Sequence, residues 1–199
     1  MNRSFIRSTI VRAGLLLGAA GFSACSAGYS TENNSNVLLI IASINGGAAL
    51  KSDVLKGTGV FNDVAELAIA VRFKNPNIST VPQIPSAVIL ERYEIKYRRS
   101  DGRGVEGQDV PFSISGNITA AYDVKTSGTD PLSLEVVRVQ AKLEPPLRNL
   151  QTVLSDQGGG GGIVVTMFAD ITLHGRTISG QAVTSNGSLQ IDFANWADN

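Results

Sequence analysis

Cys25 is the only cysteine among 199 residues, so no disulfide within the chain can hold its fold. Whatever structure follows must be held by buried apolar surface alone, which a single domain of this length can supply. The position of that cysteine is equally constraining. It ends the segment AGLLLGAAGFSAC at 13–25, which Arg3, Arg7 and Arg12 precede without any acidic residue.

A basic start, a short apolar run and a small-residue exit are the layout of a secretory signal, here residues 1–24. The apolar run is about ten residues, whereas a helix crossing a bilayer core needs roughly 20. The segment therefore reads as a leader and not as a permanent transmembrane helix. A short buried helix is the plainer alternative, but polar residues without packing rhythm follow it. Phe22-Ser23-Ala24-Cys25 resembles the lipobox of bacterial lipoproteins, with Phe22 standing where that family usually carries leucine. The resemblance implies a diacylglycerol thioether on Cys25, removal of the residues before it and acylation of the new amino terminus. It also implies a membrane partner reached through the lipid, and Ser26 in place of an aspartate points to the outer membrane of a bacterial envelope. Several acyl chains together anchor a protein durably.

Without the three leader arginines, 14 basic residues face 17 acidic ones, a net charge of about −3. Nucleic-acid binding needs a concentrated basic face, so this balance speaks against such a partner. Residues 26–36, SAGYSTENNSN, are polar and aperiodic, as a flexible tether between lipid and domain would be. Residues 37–199 then read as one β domain, with 21 glycines in the whole chain and few charges.

Val37-Leu38-Leu39-Ile40-Ile41 fits a strand buried on both faces, closed by Gly46-Gly47. Val54 and Leu55 suit a short strand ahead of Gly57. From Val64, the residues Leu67, Ile69, Val71 and Phe73 share one face, and Asn75-Pro76-Asn77 supplies turn chemistry. Pro82 and Pro85 keep the next connection irregular. Ile89, Tyr93, Ile95 and Tyr97 then alternate against a solvated row of Arg92, Glu94, Lys96 and Arg98. Phe112, Ile114, Ile118, Ala120 and Tyr122 form the next inward row, with Gly116 marking a bulge or a close backbone approach.

Leu132, Leu134 and Val136 occupy one parity and Val137, Val139, Ala141 and Leu143 the other, which predicts a bulge or a change of sheet at Val136-Val137. Leu147, Leu150 and Leu154 behind Pro146 predict one short helix near 146–155, ended by the glycines at 158–162. A meander follows, turning at Gly175 and again at Asn186-Gly187, with Leu189, Ile191 and Phe193 inward. The expected fold is all-β, an antiparallel two-layer sandwich of seven to nine strands, immunoglobulin-like; a closed barrel is the alternative. VRFKNPN, residues 71–77, also resembles strand ends of immunoglobulin-like domains. An outer-membrane barrel is disfavoured because aromatics make up only 6% of the chain.

Chemistry is sparse. His174 is the single histidine, which leaves no imidazole cage for a metal and few options for a triad. The run at 158–162 lacks the Lys-Ser/Thr of a phosphate loop. Asp101, Glu106 and Asp109 are the candidate calcium ligands, although Arg99 and Arg103 interleave with them and a solvated hairpin tip is the plainer reading. No cofactor is implied. The expectation is a non-catalytic envelope lipoprotein whose domain binds a partner, such as an envelope protein, through loops 75–85 and 100–109. Two rivals remain. A carboxylate hydrolase would need two acids about 5–10 Å apart, such as Asp170 or Asp192 facing Glu91 or Glu135. A carrier would need an apolar cavity between its sheets.

Overall fold

Alternation in 63–73 sets the architecture: Ala65, Leu67, Ile69 and Val71 are buried on one face of an 11-residue strand while Val64 and Glu66 stay exposed. The computed structural model describes residues 35–75, 77, 86–152, 154–155 and 163–196. The leader, Cys25, most of the tether, Pro82, Pro85 and the glycine run 158–162 lie outside the described residues. Among the described residues the chain is mostly β-strand, in two sheets, with one α-helix.

The strands are β1 (Val37–Ile44), β2 (Leu50–Asp53), β3 (Asp63–Phe73), β4 (Ala87–Arg99), β5 (Ile114–Asp123), β6 (Asp130–Val137), β7 (Leu154–Ser155), β8 (Val165–Thr177) and β9 (Ala182–Trp196); the helix α1 is Val139–Leu143. One sheet has the order β1-β3-β6. The other runs β2-β9-β8-β4-β5, with β7 also on β9. Inward rows of both sheets, including Leu67 and Ile69 from β3, Ile95 from β4, Ile171 from β8 and Ile191 from β9, merge in a single core. Hydrogen bonds also cross between the sheets: Tyr97 Oη donates to Val136 O at 2.7 Å, Ile41 N–H to Ser185 Oγ at 3.0 Å and Tyr122 Oη to Pro131 O at 3.3 Å. Burial raises the Tyr97 phenol above its ordinary range, with the nearby Arg138 charge opposing and Glu135 adding to the rise. Ser35, polar enough to read as tether, is already buried and accepts the Val37 N–H at 3.1 Å.

The pairing is not wholly antiparallel. β2 and β7 both lie parallel to β9, one after the other along the same edge. After β1 the chain leaves its sheet through Asn45, Gly46 and Gly47, whose φ values of 51°, 62° and 84° are all left-handed. That turn delivers β2 to the edge of the opposite sheet. Such consecutive left-handed residues are affordable mainly for glycine and asparagine.

The expected parity switch at Val136-Val137 is a bulge: Asp63 pairs with Val137 but Val64 with Glu135, leaving Val136 extra. Beyond it the chain coils instead of extending, so Val139, Ala141 and Leu143 are helical and not strand residues. Asn62 Oδ1 accepts the Val139 N–H at 2.6 Å and satisfies one of the free donors at the helix start. The helix expected near 146–155 is reduced to a 3-10 turn at Leu147–Leu150 that buries both leucines.

The last meander is only two long strands. The chain reverses at 178–181, where Gly180 has φ 83°, and both glycines expected to turn lie inside strands. Gly187 sits where β1 crosses β9: a Cβ there would meet Ile44 Cδ1 at 2.8 Å. Gly175 faces the β4 backbone, and a Cβ would lie 2.5 Å from Ile89 O. A bulge between Leu90 and Arg92 at that point puts Leu90 in the core and leaves Ile89 half-buried. Gly116 is the expected close approach, its missing Cβ leaving room for the Tyr93 ring. Phe112, expected inward, is exposed and lies over Gly107.

Candidate functional site

The parallel pairing of β2 with β9 fixes Ser52 opposite Phe193 and Asp53 opposite Ala194. Strand alternation turns Ser52 inward, fully buried, and Lys51 outward. The segment leaving β2 folds tightly. Val54 N–H donates to Ala194 O at 3.0 Å, and Lys56 and Gly59 exchange two backbone bonds of 2.9 Å around Gly57 at φ +60°. Phe61 lies against Gly59, where a Cβ would come within 2.9 Å of its ring.

Asp63 then opens β3 on the inward parity, and α1 brings Lys142 to it. The Lys142 side chain is 1% exposed. Its Nζ donates to Asp53 O at 2.7 Å and reaches Asp63 Oδ1 and Oδ2 at 3.0 and 2.9 Å. Ser52 Oγ donates to Asp63 Oδ2 at 2.5 Å. The ammonium thus meets a backbone carbonyl and a carboxylate counter-charge, as a buried charge requires. Gln151 braces the arrangement by donating to Lys142 O and Val54 O, and Asn195 Nδ2 donates to Gln151 O at 2.7 Å. Asp53 Oδ1 accepts N–H bonds from Leu55 and Trp196.

This network is the floor of an open pocket of about 700 Å³ lined by Lys51, Asp53, Lys56, Gly57, Phe61, Asp63 and Lys142. The volume is within the usual range of small-molecule sites. Lys51 Nζ lies 5.3 Å from the centre of the Trp196 ring. Five of its seven lining residues are charged.

The loop carboxylates serve separate turns. Asp101 binds the guanidinium groups of Arg99 and Arg103 at 3.0 and 2.8 Å. Slight desolvation raises its pKa, but the Arg103 N–H and the two guanidinium groups outweigh that and hold it below the usual carboxylate range. Glu106 accepts the Ser113 N–H and Asp109 the Val105 N–H. Among the described residues no three acidic, histidine or cysteine side chains gather closely enough to hold a metal ion.

The hydrolase acids are likewise dispersed. Asp170 pairs with Arg98 at 2.8 Å, Glu91 with Arg176, and Asp192 accepts from Thr166 Oγ1. Glu135 lies on the other sheet, opposite Val64. His174 is on the outer face of β8 opposite Arg92, its Nε2 3.9 Å from Glu94 and without a hydrogen-bond partner among the described residues. Of the loop 75–85, the described part shows the Asn77 N–H donating to Asn75 Oδ1 at 3.0 Å, the expected turn chemistry.

Ser52, Asp63 and Lys142 went unnoticed in the sequence. Asp63 carried a signal: it shares parity with Ala65, Leu67, Ile69 and Val71, and an acid on an inward row demands a buried partner. Lys142 carried none, because its stretch alternates like a strand. No protein-family model, curated protein or solved structure matches the chain.

Proposed function

We propose that the chain is a bacterial envelope lipoprotein, anchored through lipid on Cys25 and placed at the outer membrane, whose domain is an immunoglobulin-like β-sandwich acting as a non-catalytic binding module. The observation that carries the binding role is the open, charged pocket between β2, the 54–62 turn and the Lys142–Asp63 pair. Its floor suits binding better than turnover. The Ser52 hydroxyl is spent on Asp63, and the Lys142 donors are occupied by Asp53 O and Asp63, so neither is arranged as a nucleophile beside a base. The anchor rests on the basic leader and the lone cysteine at its exit.

One experiment tests both halves. A photo-crosslinking residue replaces Phe61 in the full chain in intact cells, with Ile178 as control. Both positions are 59% exposed, but Ile178 lies beyond the opposite end of β9. Adducts specific to position 61, lost from the membrane fraction together with the protein when Cys25→Ser is added, are the expected result. Equal labelling at both positions refutes the binding site, and a Cys25→Ser chain that stays membrane-bound refutes the anchor.

A further inference from the structure

We propose that this pocket takes a small organic anion, a carboxylate or phosphate borne on a ring or apolar body. The inference rests on the binding-module reading and specifies its ligand. Two lysines at the pocket, Lys51 and Lys56, have no carboxylate partner among the described residues, and both are exposed. Several other surface cations are paired, Arg92 with Glu94, Arg98 with Asp170, Lys125 with Asp130 and Arg176 with Glu91, whereas exposed Lys96 and Arg148 resemble the pocket lysines in showing no carboxylate partner among the described residues but line no such pocket. The pocket's own acids do not neutralise the two lysines. Both oxygens of Asp63 face Lys142, and Asp53 Oδ1 is turned to two backbone N–H groups. The lining as a whole carries three cations and two anions. That excess sits in a mature chain whose net charge is about −3.

An entering anion therefore meets two exposed ammonium groups. Lysine acts as a point charge, so the pocket selects sign over the planar fork geometry that arginine would impose. Lys51 leaves the face of Trp196 at little cost, because an exposed cation–π contact is weak. Phe61, held on Gly59 and 59% exposed, offers a flat apolar surface to whatever carries the anion. Aromatic contact of that kind adds area without adding a charge requirement.

Calorimetric titration of the full chain in neutral detergent tests this, with phenyl phosphate as probe and benzoate, inorganic phosphate and benzyltrimethylammonium as comparisons. Trp196 is the only tryptophan, so its emission reports the departure of Lys51 independently. Saturable binding of phenyl phosphate is expected, stronger than that of inorganic phosphate and weakened by added salt. Lys51→Met and Lys56→Met should each lower affinity by about tenfold while leaving the unfolding midpoint unchanged, since both side chains are exposed. Benzoate binding with phenyl phosphate places the common feature in charge plus ring; phenyl phosphate alone narrows the ligand to phosphates. Absence of saturable binding, equal binding of the cationic probe, or unchanged affinity in both lysine variants overturns the inference. If the anions fail but position 61 still captures a component in cells, the ligand class is wrong and the binding module stands. If both fail, neither survives.

Discussion

Lys142→Met isolates what the buried ion pair contributes. Methionine nearly matches the lysine stem in volume, so packing around α1 is kept and only the ammonium is removed. Breaking a buried pair by deleting one partner costs about 3–5 kcal/mol. The lower end applies here, for a reason visible in the geometry. The Asp63 side chain is 17% exposed, keeps the Ser52 hydroxyl and can rehydrate through the pocket. Asp53 O, left without its donor, adds part of the loss. A destabilisation of about 3 kcal/mol is expected, which for a domain of this size lowers the melting temperature by roughly 6–12 °C. Asp63→Asn should be worse. It leaves an ammonium that is only 1% exposed without its counter-charge, so about 4–5 kcal/mol is expected. The double variant Lys142→Met/Asp63→Leu should recover much of the loss, because the charges vanish together. Denaturant melts followed by Trp196 emission and far-ultraviolet circular dichroism give the three values. A Lys142→Met cost below about 1 kcal/mol, or a cost above that of Asp63→Asn, would refute the asymmetry argued from exposure.

Gly175→Ala should cost about 3 kcal/mol, because its Cβ would fall 2.5 Å from Ile89 O and backbone must move; Gly104→Ala, with nothing within 4 Å, should stay within about 0.5 kcal/mol in the same melts. Tyr97→Phe should alter the alkaline limb of stability. Since folding raises the phenol pKa, the neutral ring's contribution is complete below the ordinary value of 10.0 and declines as pH rises above it. The variant should start about 1–2 kcal/mol less stable, having lost its bond to Val136 O, and then fall less steeply than the wild type above pH 10.0.

Strand identity was legible wherever alternation ran uninterrupted. β3 and the Leu189-Ile191-Phe193 part of β9 were read correctly because each inward residue meets the same core. The Val136 bulge was legible too, since a switch of parity has few other causes. Glycine was the main source of error. Asn186-Gly187 has the chemistry of a hairpin, yet Gly187 is needed where Ile41 and Ile44 of β1 press on β9, a contact no local pattern encodes. The Leu90–Arg92 bulge misled in the same way, because Ile89 alternates correctly with Tyr93 only if no residue is inserted. The pocket was hardest to foresee. It joins residues 51–63 to residue 142 through a parallel edge pairing, and sequence spacing is silent on parallel partners.

That edge pairing also has a temporal consequence. The Trp196 N–H and the Asp53 carboxylate that receives it are 143 residues apart in the chain. Closing a loop of that length costs about 4 kcal/mol of chain entropy before any contact compensates. β2 therefore has no edge to join until β9, the last of the described strands, has formed. Non-local pairing of this kind folds on millisecond-to-second timescales. The edge of the larger sheet that carries the pocket is thus a late product of folding, assembled after the local hairpin of β8 and β9.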